Sequence, residues 1–490
     1  MVASESPGRD DHGLGRQRLR AKPLYGKTPW RAGSRRGLTV TTNAVPDARL
    51  DATPEITGGG HVGLVVVGSI AAGLVLGLLL VLAVFAGGDE PEIIGSALLA
   101  LGVGFTVLAV VSTRRTNQPQ RWALTPGGVT LLAGLAVLAL APSGRVLDLA
   151  GWVWPVLLAQ LVVFSFRGAR RSLDNWSRRA VLYPALVVLL LIALAGAAGT
   201  IAAARSSTPR PTTGRTYLVN GHHLYLSCAG SGAPTVVLFN GLGEWTPNWA
   251  WVQANVSHTT RVCAFDRAGE GWSGGKAVRQ DGYQLASDLH ALLHAAQVPG
   301  PYVLAGHSVG GTYALVYAAQ YPSQVAGVTL IDSATPYQFD LSDYRSFYWK
   351  FTRASALLPV AARTIIGRLA LGSGFTSLPP TARDAARAFN SSPHQLAASR
   401  IEFLQLRTVF NQAKTLRTLN GKPLAVLTAS VGEMRGWSEA QKRLAQLSTA
   451  SAHRTVSGAT HAALLEDKTF ARMTSRAIIA VVHRARSAGH

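Results

Sequence analysis

One serine in this chain stands in a setting that chemistry can use. Gly306-His307-Ser308-Val309-Gly310 is a G-x-S-x-G arrangement with the serine at its apex. In that arrangement the serine occupies a sharp, strained turn from a strand into a helix, and the glycines remove side chains that would clash there. Its Oγ then projects above the sheet, beside a helix N-terminus that favours developing negative charge. The chemistry this allows is nucleophilic attack by a hydroxyl that a neighbouring base activates. The same five residues without the flanking elements would be a tight turn with no chemistry.

The elements are present around Ser308 and missing around a second match. Tyr302–Ala305 predicts a short buried strand, and the apolar, alanine-rich Thr312–Gln320 predicts a helix ending before Pro322. Gly271-Trp272-Ser273-Gly274-Gly275 also fits the pattern, but no apolar strand leads directly into Ser273 and no long helix leaves it. A glycine-rich loop is expected there.

Arg205–Gly214 is a Ser/Thr/Pro linker, and after it short apolar runs alternate with helical patterns, as a βαβ-type sheet requires. Thr216–Val219 and His222–Cys228 flank Asn220-Gly221, a two-residue hairpin signal. Further strands are expected at Thr235–Phe239, Arg261–Phe265, Tyr302–Ala305, Val325–Ile331, Pro423–Thr428 and Ala452–Val456.

From about Arg215 to the end, this order resembles a serine-type α/β-hydrolase, with the nucleophile after the fifth strand. Asn240-Gly241-Leu242-Gly243 follows the third strand, where that family places a His-Gly-x-Gly oxyanion loop. Asp266-Arg267-Ala268-Gly269-Glu270-Gly271-Trp272-Ser273 is similar to its Asp-Arg-x-Gly-x-Gly-x-Ser loop, which accounts for the second serine motif. Gly458-Ala459-Thr460-His461-Ala462 follows the last strand, where the family keeps its catalytic histidine. The resemblance implies that Ser308 attacks a carbonyl, that His461 takes and returns its proton, and that the N–H groups of Leu242 and Val309 face the oxyanion. Asn240 departs from the family's histidine, which implies an altered support for the loop. His307 is expected to shape the elbow.

Two residues compete for the acid that would hold His461. Asp332 ends the strand Val325–Ile331, a position some family members use, although an Asp there also serves as a plain capping residue. Glu433 lies in the loop after Pro423–Thr428, where the fold most often carries its acid, but that loop lacks the family's usual Asp. Asp332 is preferred and Glu433 stays open. The family's strand order makes the second and fourth strands neighbours, so a disulfide between Cys228 and Cys263 is possible. Two buried free thiols are the alternative. Residues 336–420 form a long insertion with helical patterns and aromatics, where the family inserts a cap over its site; such a cap suits an apolar acyl group or a flat organic substrate. No cofactor or metal is expected. His290 and His294 share a helix face at i, i+4, but no third ligand is evident nearby.

The 490 residues imply more than one domain, and a charged fraction of only 15% is low for a wholly soluble chain. Five charge-free segments lie before residue 205: Val62–Ala86, Ile93–Val111, Trp122–Ala141, Leu149–Phe166 and Ala180–Ala204. Each approaches the roughly 17–25 residues that cross a bilayer as a helix; the fourth is the shortest and contains Pro155. The expectation is an N-terminal transmembrane bundle of about five spans at 61–204, behind a basic, disordered leader at 1–60. A cleaved signal peptide is not expected, because the first apolar run starts so far along the chain.

Ten Lys or Arg residues precede Val62, and Arg114, Arg115 and Arg121 occupy the second loop, with five more Arg between the fourth and fifth segments. Asp89, Glu90 and Glu92 occupy the first loop without a base. By the positive-inside rule the N-terminus is then cytoplasmic and the C-terminal domain is outside. The net charge of +22 is shared among leader, inner loops and C-terminal domain, so no nucleic-acid partner is expected.

The leading expectation is a membrane-anchored serine hydrolase acting on a small-molecule or lipid acyl bond at a lipid bilayer, of unknown oligomeric state. Acyl transfer on the same triad and a non-catalytic binding module are the alternatives. The elbow serine argues against dehalogenase or epoxide-hydrolase chemistry, whose enzymes use an aspartate there. A transporter is disfavoured, since coupled ion pathways usually need ionisable groups within the membrane.

Overall fold

Hydrophobic run length divides the chain into two kinds of architecture. The computed structural model describes residues 62–173, 176–206, 208, 210–275 and 279–488, which all fall in one unit, Gly58–His490. The leader expected at 1–60 lies outside the described residues.

The long apolar runs form helices α1 (Val62–Leu79, continued by a π turn at Leu80–Val84), α2 (Glu90–Arg115), α3 (Leu124–Leu140), α4 (Gly144–Ala150), α5 (Trp154–Ser172) and α6 (Trp176–Arg205). Four of these are long and apolar enough to cross a membrane, and α4 with α5 makes a fifth if the pair, bent by 48°, is one span. The bend is the structural form of the fourth segment, and Pro155 opens α5 directly after the break, where its missing N–H costs no helical bond. Small residues let these helices approach closely. At Gly73 an added Cβ would stand 2.7 Å from the Ala100 carbonyl oxygen of α2. Leu78, Leu132 and Leu191 point outward and exposed, as side chains facing hydrocarbon would.

The shorter runs form eight strands: β1 (Gly214–Val219), β2 (His222–Ala229), β3 (Thr235–Phe239), β4 (Val262–Phe265), β5 (Tyr302–His307), β6 (Val325–Ile331), β7 (Leu424–Val431) and β8 (Ser451–Thr460). Their order in the sheet is β1-β2-β4-β3-β5-β6-β7-β8. β1 and β2 form the hairpin, with β2 antiparallel to β4, and every later pairing is parallel. β3, β4 and β5 are buried throughout, because helices cover both faces. One face packs α8 (Gly282–Ala295), α9 (Val309–Gln320) and α14 (Pro393–Ala413); the other packs α7 (Ala250–Val256) and α17 (Lys468–Ala488). β8 runs past its expected ends because it is an edge strand, whose outer residues need no apolar side chains, and β7 keeps pairing with it as far as Val431.

The insertion after β6 is helical: α10 (Ser342–Ala354), α11 (Leu357–Ala362), α12 (Ile365–Leu371) and α13 (Pro380–Asn390) lead into α14. Together they form the cap. α15 (Trp437–Ala445) follows β7, and α16 (Ala463–Glu466) follows β8. Cys228 and Cys263 face each other across the β2–β4 register and are joined as a disulfide.

Candidate active site

The carboxyl ends of β3, β5, β6 and β8 converge, and each delivers one part of a site. Ser308 follows β5 with φ 55° and ψ −128°, a left-handed conformation that costs a non-glycine residue about 1–3 kcal/mol. The surroundings enforce it. The Ser308 N–H donates to the Ile331 carbonyl at 3.1 Å, and the Ser308 carbonyl accepts from Gly311 and Ala334 N–H at 3.2 and 2.9 Å. The glycines are required by close approach: a Cβ at Gly306 would lie 2.4 Å from Gly311 N, and one at Gly310 would lie 2.2 Å from the Phe239 carbonyl oxygen.

Asp332 follows β6, also at positive φ (41°). Its Oδ2 lies 2.6 Å from His461 Nδ1, while Oδ1 accepts from Trp437 Nε1 at 2.8 Å and from the Ala429 N–H at 3.1 Å. Burial alone would raise this carboxyl; the bond and charge of His461, with the two N–H donors, outweigh it and hold the group below its ordinary range. His461 follows β8 with its side chain 47% exposed, and its Nε2 has no hydrogen-bond partner among the described residues. Glu433 is exposed at the rim of the same cleft and makes no hydrogen bond to His461. The structure thus brings Asp332, and not Glu433, to the imidazole.

Leu242 in the loop after β3 and Val309 at the start of α9 both line the cleft with Ser308 and His461. Among the described residues, neither N–H enters the loop and turn hydrogen bonds. Asn240 straps the head of that loop, donating to the Phe265 carbonyl at 2.8 Å and accepting from Trp249 Nε1 at 2.9 Å.

Glu244 was not legible as a site residue. Its Oε2 accepts the Gly241 N–H at 2.6 Å and its Oε1 meets His307 Nδ1 at 2.6 Å. The other nitrogen of His307 contacts the His461 carbonyl oxygen at 3.0 Å. Burial opposes both charges, yet their mutual attraction raises His307 and lowers Glu244 relative to their ordinary values. With a carboxylate at one ring nitrogen and a carbonyl at the other, the doubly protonated ring satisfies both acceptors. A sequence signal existed in the acid three residues after Gly241, a spacing at which a side chain can turn back onto a loop N–H. Arg267 was missed too. It donates to the carbonyls of Asn240 and Gly241 at 2.8 and 2.9 Å and pairs with Glu270 and with Glu402 of α14, both at 2.9 Å, so it links the loop after β3 to the cap.

Two other sequence candidates have structural partners. Ser273 Oγ donates to the Asp266 carbonyl at 2.6 Å and accepts the Tyr225 N–H at 2.8 Å, pinning its loop. His290 stacks on Tyr321, with ring centroids 4.2 Å apart. The open cleft above Ser308 has a volume of about 380 Å³, and Tyr344, Phe347, Phe403 and Leu406 of the cap form its apolar wall.

Residues 234–468 match a family model described as alpha/beta hydrolase fold. An uncharacterized protein of Schizosaccharomyces pombe is 28% identical over 224 residues, covering 44% of this chain and 40% of that protein. The dihydrolipoyllysine-residue acetyltransferase component of an acetoin cleaving system from Pseudomonas putida is 34% identical over 110 residues, 22% of this chain and 30% of that protein. The chain spans less than half the length of these curated relatives. Among solved structures, the enol-lactonase from Burkholderia xenovorans LB400 is 20% identical with a TM-score of 0.42, covering 55% of this chain and 100% of that one.

Proposed function

Since residues 234–468 match the α/β-hydrolase fold family, we propose that the chain is a membrane-anchored serine hydrolase cleaving an ester, amide or related acyl bond. The observation that carries this reading is the strained Ser308 in one cleft with a histidine whose far nitrogen is held by a buried carboxylate. Ser308 Oγ attacks the acyl carbon while His461 Nε2 takes the hydroxyl proton. The N–H groups of Leu242 and Val309 receive the oxyanion, and each such donor is worth about 3–4 kcal/mol in the transition state. Collapse of the tetrahedral adduct expels the leaving group, which takes the proton from His461. Water, deprotonated by the same imidazole, then releases the acid and restores Ser308. Asp332 holds the imidazole in the required tautomer and stabilises its cationic form.

The basic inner loops and the Cys228–Cys263 disulfide support a cytoplasmic N-terminus and an extracytoplasmic catalytic domain, because disulfides persist in oxidising compartments. One experiment tests both statements. A membrane-impermeant fluorophosphonate probe on intact cells should label the wild type and leave Ser308→Ala unlabelled. Labelling only after lysis would reverse the orientation; no labelling in either sample would end the serine-hydrolase reading.

A further inference from the structure

Apolar exposure in the catalytic half is concentrated on the cap. Among the described residues after 205, eight large hydrophobic side chains are exposed, and six of them belong to the cap: Tyr337, Phe347, Trp349, Leu357, Ile366 and Leu369. Ile366 and Leu369 are 70% and 68% exposed and lie one turn apart on α12, so they share one face. An apolar surface of this kind on an otherwise polar domain marks a place of contact.

The same cap is fastened to the ends of the apolar helices. Arg363, between α11 and α12, holds the Glu90 carboxylate through two nitrogens and Asp148 at 2.9 Å. Arg400 of α14 donates to the carbonyls of Gly87 and Gly88, in the turn between α1 and α2, and to the Thr352 carbonyl of α10 at 2.8 Å. α6 meets the start of α12 directly, for a Cβ at Gly199 would lie 2.4 Å from the Arg363 carbonyl oxygen. The exposed apolar side chains of the cap therefore continue from the level at which the apolar helices end. Trp349 stands one turn before Thr352, and tryptophan is a residue enriched at membrane–water interfaces. Arg345 and Lys350 are exposed on the same helix, where anionic headgroups would meet them.

We infer that the α10–α12 face of the cap rests in the outer interface of the bilayer, and that the cleft takes its substrate from that layer, an acyl ester of a membrane-resident lipid. The substrate half rests on the serine-hydrolase reading. Phe347 connects the two surfaces, being exposed on α10 and part of the cleft wall, so an acyl chain leaving the bilayer would pass over it to reach Ser308. The apolar cap wall then receives the chain, and the carbonyl lies at the Leu242–Val309 donors.

The test uses the full chain in nanodiscs of phosphatidylcholine and phosphatidylglycerol. Ile366→Cys, carrying the polarity-sensitive dye NBD, should be quenched by lipids doxyl-labelled near the headgroup. Emission typical of water and no quenching would overturn the surface assignment. In parallel, wild type and the Ile366→Glu/Leu369→Glu variant are assayed on a long-chain glycerol ester in the bilayer and on water-soluble p-nitrophenyl acetate. The variant should lose about tenfold or more on the bilayer ester, the order expected for withdrawing buried aliphatic side chains, and stay within about twofold on the soluble one. Equal losses on both, or a wild type that cleaves only the soluble ester, would overturn the substrate class while leaving the hydrolase intact. A quenched dye with neither ester cleaved and Ser308 unlabelled would instead remove the hydrolase reading, and the lipid substrate with it, while the surface stands.

Discussion

The mouth of the cleft and the layer beneath it each hold a histidine on a carboxylate at 2.6 Å, with the two imidazoles 4.3 Å apart. His461 on Asp332 is 47% exposed and keeps Nε2 without a partner among the described residues; His307 on Glu244 is fully buried, and both its nitrogens are engaged. Identical chemistry therefore receives opposite tasks from its surroundings. A ring with one open nitrogen can take a proton and return it. A ring closed on both sides keeps its proton and acts as a fixed charge, and Glu244 extends that fixed element to the backbone of the oxyanion loop through Gly241. Under the proposed reading, the comparison separates a group that works on the substrate from one that holds the workplace in position.

The sharpest way to break this comparison is at the mouth. Asp332→Asn should lower kcat by about 10⁴-fold, because the amide favours the wrong imidazole tautomer. Glu433→Gln should change it by no more than about twofold, as exposed substitutions usually do. Steady-state turnover of a chromogenic ester measures both. A large loss at Glu433 with Asp332 tolerant would transfer the acid's task to the β7 loop.

The lower pair predicts a smaller loss with a different signature. Glu244→Gln should reduce kcat by roughly 10²-fold with KM little changed, comparable with displacing one oxyanion donor. Its stability effect should depend on pH. The His307 value is raised in the folded state, so its contribution is complete below the unfolded value of about 6.5 and is lost as pH rises through the folded value. The Glu244 value is lowered, so its contribution is present above the unfolded value of about 4.5 and is lost as pH falls through the folded one. The difference in thermal midpoint between wild type and Glu244→Gln should therefore peak between about pH 4.5 and 6.5. A difference independent of pH would mean that Glu244 contributes packing and not charge.

Legibility in the sequence followed the range of the interactions. Ser308, His461 and the loop at Asn240–Gly243 sit in short motifs beside their own strands, so local pattern revealed them. Asp332 was readable as a candidate because it ends a strand. Its selection over Glu433 needed the Trp437 and Ala429 donors, 105 and 97 residues away. The Glu244–His307 pair was hidden because an acid in a glycine-rich loop reads as solvated until the fold closes over it. The fastening of Arg363 to Glu90 joins residues 273 apart, and neither neighbourhood carries a pattern that announces the other. The apolar helices were visible by length alone, although the bend between α4 and α5 depended on geometry that Pro155 only hinted at.

The disulfide gives the mildest test, and it asks whether the two pairs are sufficient to position the chemistry. Cys228 and Cys263 join β2 to β4, and β4 lies next to β3, whose end carries the oxyanion loop. The bridge closes a loop across 35 residues, which restricts the unfolded chain and should contribute about 3–4 kcal/mol. Replacing both cysteines by serine should lower the thermal midpoint by roughly 6–15 °C. Turnover at 25 °C should stay within about twofold, since Ser308 is held by β6, Asp332 and His461 by each other, β7 and α15, and Glu244 by Gly241 and His307 of β5, through bonds that do not involve the bridge. A variant that stays folded at 25 °C but loses activity would show that the oxyanion loop takes its position from the β2–β4 link as well as from Glu244, and the lower pair would then be one of two supports.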